Sequence, residues 1–270
     1  MIRATLFVSL LLCTSCVEGA SAGPIALSPS SGKAFEIRTW REGAATGELW
    51  IATFPAGSRL SVQPAPATPT PLAKFVVEPK EKDFAAVNGG FYSDAPMGLV
   101  LSSGRELHRR TGNGGSGVFF VASGLPGIAA SRGFLPPAGT SDALQSIDRL
   151  VHAGKSVVKR GAERHADART AVAIDAAGAT LLLVLFDSRA AQSRQGGVVQ
   201  LGPGSSGTGP SLFDFAELLA RPVDKGGLGA AFALNLDGGY SSSMKLRFEG
   251  ETREIRAFRG TVNAVVGVRR

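Results

Sequence analysis

Apolar residues along this chain recur in short runs bounded by glycine, proline and small polar residues, a punctuation that predicts strands more than long helices. Ala34–Trp40 and Glu48–Phe54 read as a strand pair bridged by the turn-rich Glu42-Gly43-Ala44-Ala45-Thr46-Gly47. Further strands are expected at Phe84–Val87, Leu99–Leu101, Val118–Ala122, Thr170–Ile174, Thr180–Phe186 and Ala230–Leu236. Between them, the proline-rich Pro64–Pro71 cannot occupy a central strand and reads as a surface loop or extended segment. Helical spacing is rare. Ser141–Val151 places Leu144, Ile147, Leu150 and Val151 on one face, with Thr140 or Ser141 as cap. Ser211-Leu212-Phe213-Asp214 has the form of a capping box and opens a short helix to about Ala220. The expected fold class is α+β: a mixed, mostly antiparallel β-sheet core with a few short helices. No linker separates two cores, so residues 23–270 read as one domain.

Composition supports this picture. The chain has 270 residues, of which 44% are hydrophobic, enough for a sizeable core, and its Gly 35 and Pro 15 suit a turn-rich sheet protein. Its first 22 residues read as a secretion signal: Arg3, the apolar Leu6–Leu12 and the small-residue site Ala20-Ser21-Ala22. The apolar run is too short to span a bilayer, so no transmembrane segment is expected. Both cysteines, Cys13 and Cys16, lie in this leader. Cleavage after Ala22 would leave a thiol-free chain in the periplasm or outside the cell; lipidation at Cys16 would anchor it instead.

The formal net charge of +7 suits an anionic substrate or envelope, but the basic residues are scattered, without the basic helix or aromatic platform of a nucleic-acid binder. The histidines His108, His152 and His165 lie in polar, turn-like surroundings with no metal-ligand spacing, and no metal or other cofactor is expected, although a calcium site built from Asp and backbone oxygens stays open. No G-x-S-x-G elbow is present. Gly112–Gly117 and Gly202–Gly207 both match G-x-G-x-x-G, yet neither sits in an alternating strand–helix series, which argues against a dinucleotide.

Two segments carry the candidate chemistry. In Ala233-Leu234-Asn235-Leu236-Asp237-Gly238-Gly239-Tyr240-Ser241-Ser242-Ser243 an apolar strand ends on Asn, Asp and paired glycines, then three hydroxyls. The strand would hold Asp237 rigidly, Gly238 and Gly239 would let backbone N–H groups approach a ligand, and Ser241 and Ser242 would add donors. Asn235 lies two residues before Asp237, on the same sheet face. Ser243 would alternate away from the site. Val87-Asn88-Gly89-Gly90-Phe91-Tyr92 has the same build, with Asn88 as a donor and Gly89 and Gly90 as an anion nest. An Asx turn is the plainer reading of Asp237. Asp187, which ends the run Leu181–Phe186, is a second candidate carboxylate, its plainer reading being a strand-end turn residue.

Taken in order, Asn88–Phe91, Pro96–Gly104, Arg169–Ile174, the helix near Leu212–Leu219, Asn235–Ser243 and Val262–Gly267 resemble the phosphodiester glycosidase family across roughly residues 85–268. Tyr92 and Tyr240 depart from its usual pattern. The resemblance implies cleavage of the glycosidic bond of a sugar-1-phosphodiester, with Asp237 as the central carboxylate, Asp187 assisting, and Arg169, at the family's arginine position, gripping phosphate oxygens. It also suggests a role in exopolysaccharide biosynthesis. A phosphodiester is already a good leaving group, so one carboxylate could suffice. The alternative is a non-catalytic envelope module that binds anionic polysaccharide through the same residues.

Overall fold

The computed structural model describes residues 24–66, 68–80, 82–161 and 165–269; the expected leader, with Cys13 and Cys16, lies outside them. Three sheets account for most of this chain. The first has eight strands, in the order Ala26–Leu27, Phe35–Glu42, Ala45–Phe54, Thr180–Asp187, Arg169–Asp175, Ala230–Asn235, Arg149–His152 and Lys155–Ser156. The second has seven: Ala191–Gln195, Val198–Leu201, Glu251–Arg256, Met244–Phe248, Phe84–Asn88, Asn263–Val268 and Arg59–Pro64. A five-stranded sheet is built from residues between Val100 and Ser146. Pairing is antiparallel except where Val198–Leu201 runs parallel to Glu251–Arg256.

Thr180–Asp187 shows why the order arises. Every residue in it is buried, so the strand needs an apolar layer on both sides. Leu182, Val184 and Phe186 face the seven-stranded sheet, in a core with Trp50, Phe54, Val172, Val87, Leu246 and Val265. Leu181, Leu183 and Leu185 face the other way, onto Phe215, Leu218 and Leu219 of the helix Leu212–Ala220. Ser211 caps that helix as expected, its Oγ accepting from the Asp214 amide at 3.1 Å.

This is the one α-helix among the described residues, so the architecture is more β-dominated than the expected α+β label. The helix expected at Ser141–Val151 is instead two strands, Thr140–Ser146 and Arg149–His152, in different sheets. Its apolar positions have helical spacing, and long-range pairing overrides it. Pairing with Gly117–Ala122 on one side and Ala230–Asn235 on the other satisfies the backbone of edges that a helix would leave open. Among the described residues, no helix is long and apolar enough to cross a membrane.

A carboxyl pair in the framework gives its stability a dependence on pH. Glu42, at the end of its strand, lies against Asp214 in the first turn of the helix. Burial, followed by the Asp214 charge and a hydrogen bond to it, pushes the Glu42 carboxyl up to about 7. A raised carboxyl favours folding in its protonated form, and that contribution is lost as pH climbs from the ordinary carboxylate range through about 7. Glu42→Gln is therefore expected to raise the melting temperature at pH 8 by about 2–4 °C and to leave it unchanged near pH 4, as read by thermal denaturation at both values.

Candidate active site

The two glycine clusters meet. Asn88 and Asp237, 149 positions apart, are in direct contact: the Asn88 side-chain amide donates to the Asp237 carbonyl at 2.6 Å. The reason lies in the path of the chain. The Leu236 amide bonds the Thr170 carbonyl in the eight-stranded sheet, and the next amide, of Asp237, bonds the Gly89 carbonyl at 2.9 Å. Asp237 thus sits where the backbone leaves one sheet for the other, and by Met244 it has joined the seven-stranded sheet. Both glycines that follow are needed for the crossing. A Cβ on Gly238 would lie 2.8 Å from the Ala168 carbonyl oxygen, and Gly239 has φ +54°.

Around Asp237 is a cleft of about 380 Å³. Gly238, Gly239 and Ser241 line it beside Asp237, and Arg169 lines it from the adjacent strand. Phe91, Tyr92 and Tyr240 supply aromatic walls, while Asp167, Ser206 and Arg259 complete it. Burial pushes the Asp237 carboxyl up to about 6; hydrogen bonds from the Ser241 hydroxyl and the Gly238 amide, and then the Arg259 charge, keep it from rising further. Arg259 is exposed at the lip, its guanidinium 4.8 Å from the centre of the Tyr240 ring.

Several expected ligand contacts are already occupied by the protein itself. Asn88 is fully buried, and its Oδ1 accepts from the Thr170 hydroxyl and the Ser243 amide, both at 3.0 Å. It fastens three strands together instead of facing the cleft. The Gly89 amide bonds the Asn263 carbonyl at 2.8 Å and the Gly90 amide bonds Asn263 Oδ1 at 2.9 Å, so the expected anion nest is filled by an asparagine. Asn235 and Ser242 are likewise buried and do not line the cleft.

Arg169 is buried as well. Its Nε donates to the Pro210 carbonyl at 3.3 Å, its Nη2 donates to the His165 carbonyl, and its Nη1 is 3.8 Å from Asp167. The two-pronged phosphate grip expected of it is taken up by backbone oxygens; what it contributes to the cleft is charge. Asp187 also lies elsewhere. Arg189 holds both its carboxylate oxygens at 2.8–2.9 Å, and the Arg189 amide donates to it as well. These contacts outweigh burial and keep the carboxyl below its ordinary range, and the residue does not line the cleft.

The second carboxyl group in the cleft is Asp167. Its Oδ1 accepts from the Ser206 hydroxyl at 2.9 Å and the Gly207 amide at 3.1 Å. The glycine-rich loop Gly202–Gly207 therefore does bind an anion, one belonging to the protein itself. Sequence reasoning passed over Asp167, although its position two residues before Arg169 puts both on one side of an extended segment. Ser206 and Arg259 carried no comparable signal, since each stands in an irregular turn.

The phosphodiester glycosidase family model matches residues 82–268, which hold every residue of this cleft. The chain belongs to that family. The catalytic domain of the zebrafish N-acetylglucosamine-1-phosphodiester alpha-N-acetylglucosaminidase, described as auto-inhibited by its pro-peptide, has a similar fold: TM-score 0.60 at 16% identity, over 92% of this chain and 89% of that one. A hypothetical protein from Synechocystis aligns with a TM-score of 0.51 and 16% identity, over 93% of this chain and 65% of its own. No curated protein sequence matches. At these identities the structural likenesses speak for the fold; the chemistry rests on this cleft and the family.

Proposed function

We propose that the protein hydrolyses the glycosidic bond of a sugar-1-phosphodiester. The observation that carries this reading is a half-buried carboxyl with a raised pKa, Asp237, in a cleft that also holds a second carboxyl group and two guanidinium groups, between aromatic walls. The rings of Tyr92 and Tyr240 suit the apolar face of a sugar. As the bond from C1 to the phosphate oxygen breaks, its electron pair leaves on the phosphate, which needs no proton. Asp237 as carboxylate stabilises the positive charge that develops at the ring, and Arg259 and Arg169 offset the negative charge on the departing phosphate monoester. Water adds its oxygen to C1 and releases its proton to the solvent. The expected leader and the net charge of +7 support action on anionic envelope or extracellular glycoconjugates.

Hydrolysis in heavy-oxygen water tests the reading on a panel of sugar-1-phosphodiesters. Free sugar beside an unlabelled phosphate monoester supports it, because a reducing sugar takes up label at C1 by exchange with water in any case. Label in the phosphate would mean a phosphodiesterase, and saturable binding with no product would mean a glycan-binding module.

Arg259 gives a second check. Its charge lowers the Asp237 pKa, so Arg259→Ala is expected to raise KM and to move the rising limb of the kcat/KM profile above pH 6. An unmoved limb would remove Arg259 from the electrostatics of the site.

A further inference from the structure

A second cavity, of about 430 Å³, opens on the far side of the Ala257–Gly260 turn. Its wall includes Pro71, Leu72, Ile255, Ala257 and Phe258, and Arg259 lines both this cavity and the Asp237 cleft. At the boundary the rings of Tyr240, on the cleft side, and Phe258, on the other, lie 5.5 Å apart, with the Arg259 guanidinium over the Tyr240 ring. The Arg259 amide bonds the Tyr240 carbonyl at 2.8 Å, and the Tyr92 hydroxyl donates to Gly260 at 2.7 Å, so the turn is tied to the cleft at two points.

Most polar side chains of the second cavity pair within the protein, while Lys74 stands exposed at its wall. Arg256 donates to Glu254 at 2.9 Å, and the Gln200 amide donates to the carbonyls of Leu201, Arg256 and Ala257 at 3.0–3.4 Å. What they leave to an occupant is chiefly apolar surface.

We propose that this cavity is the aglycone subsite and that it takes a compact apolar or aromatic group esterified to the phosphate. The inference rests on the hydrolytic reading above and follows from geometry. A phosphodiester places its phosphate between two organic groups, and here one cation stands between two cavities. With the sugar beside Asp237 and the phosphate at Arg259, the remaining substituent enters the second cavity. The apolar wall then favours an aryl or alkyl aglycone over a polyol, because a polyol would lose its water without gaining partners.

The test compares methyl and benzyl esters of one sugar-1-phosphate with the wild type and with Ala257→Trp and Ala73→Trp, which fill the cavity from two separate segments of its wall at half-buried positions. Each variant is expected to lower kcat/KM for the benzyl ester about tenfold while leaving the methyl ester within about twofold, which also reports an intact fold. Equal effects on both esters, or none on either, would overturn the subsite while leaving the hydrolytic reading in place. Failure of the wild type to cleave either ester would overturn both.

Discussion

Asp237→Asn is expected to lower kcat by about a thousandfold or more and, at neutral pH, to make the protein more stable than the wild type. The two effects have one cause. Burial costs the ionised carboxyl, raising its pKa to about 6 from an ordinary value of 3.8. A carboxyl raised in the folded state contributes stability only while protonated, and that contribution disappears as pH rises from about 4 through about 6. At pH 7 the wild type therefore carries a cost of up to about 3 kcal/mol that asparagine, similar in shape and uncharged, avoids. Melting temperatures should separate at pH 7 and converge below pH 4, where both side chains are neutral. In the wild type, kcat/KM should climb with pH through about 6, because the carboxylate is the working form when the leaving group needs no proton. A variant that is inactive and less stable at pH 7 would make Asp237 a structural residue, and a profile that falls through pH 6 would make it the acid.

Gly89→Ala is expected to destabilise the fold by about 3 kcal/mol or more, seen as a fall in melting temperature of about 6–12 °C, and to reduce turnover as well. A Cβ at this position would lie 1.8 Å from Asn263 Oδ1 and 3.0 Å from the Asn263 carbonyl oxygen. Asn263 is buried and its Oδ1 is held by the Gly90 amide, so it cannot swing aside without breaking that bond. The Gly89 carbonyl receives the Asp237 amide, and any shift of the backbone here moves the carboxyl with it. A variant with the melting temperature and activity of the wild type would show that this junction does not position Asp237.

The sequence made the likeness of two segments readable, a strand ending in Asn-Gly-Gly and another ending in Asn-Leu-Asp-Gly-Gly; their contact came from the packing of the sheets. Strand after strand was legible as well. Runs such as Thr180–Phe186 carry more apolar side chains than any half-exposed element could tolerate. The capping box of the helix Leu212–Ala220 was legible too, because a cap is a local exchange between a side chain and a nearby amide.

The partners of each polar group were not legible. Asn88, Gly89, Gly90 and Arg169 have the chemistry of ligand-binding residues, yet their hydrogen bonds go to Thr170, Ser243, Asn263, Pro210 and His165. Asp187, the second candidate carboxylate, is held by Arg189, a pairing its place at a strand end did not announce. Spacing along the chain fixes which face a side chain leaves from; it does not fix what lies opposite, and a buried donor takes whichever acceptor the packing brings near. For the same reason Asp167, Ser206 and Arg259, from three irregular segments, entered the cleft unannounced. Local pattern therefore determined many of the strands, the helix Leu212–Ala220 and the residue at the crossing between sheets, but not Thr140–Ser146 and Arg149–His152, whose helical spacing gave way to strand pairing. Only the packing of those sheets decided which polar groups remain for a substrate and which hold the protein together.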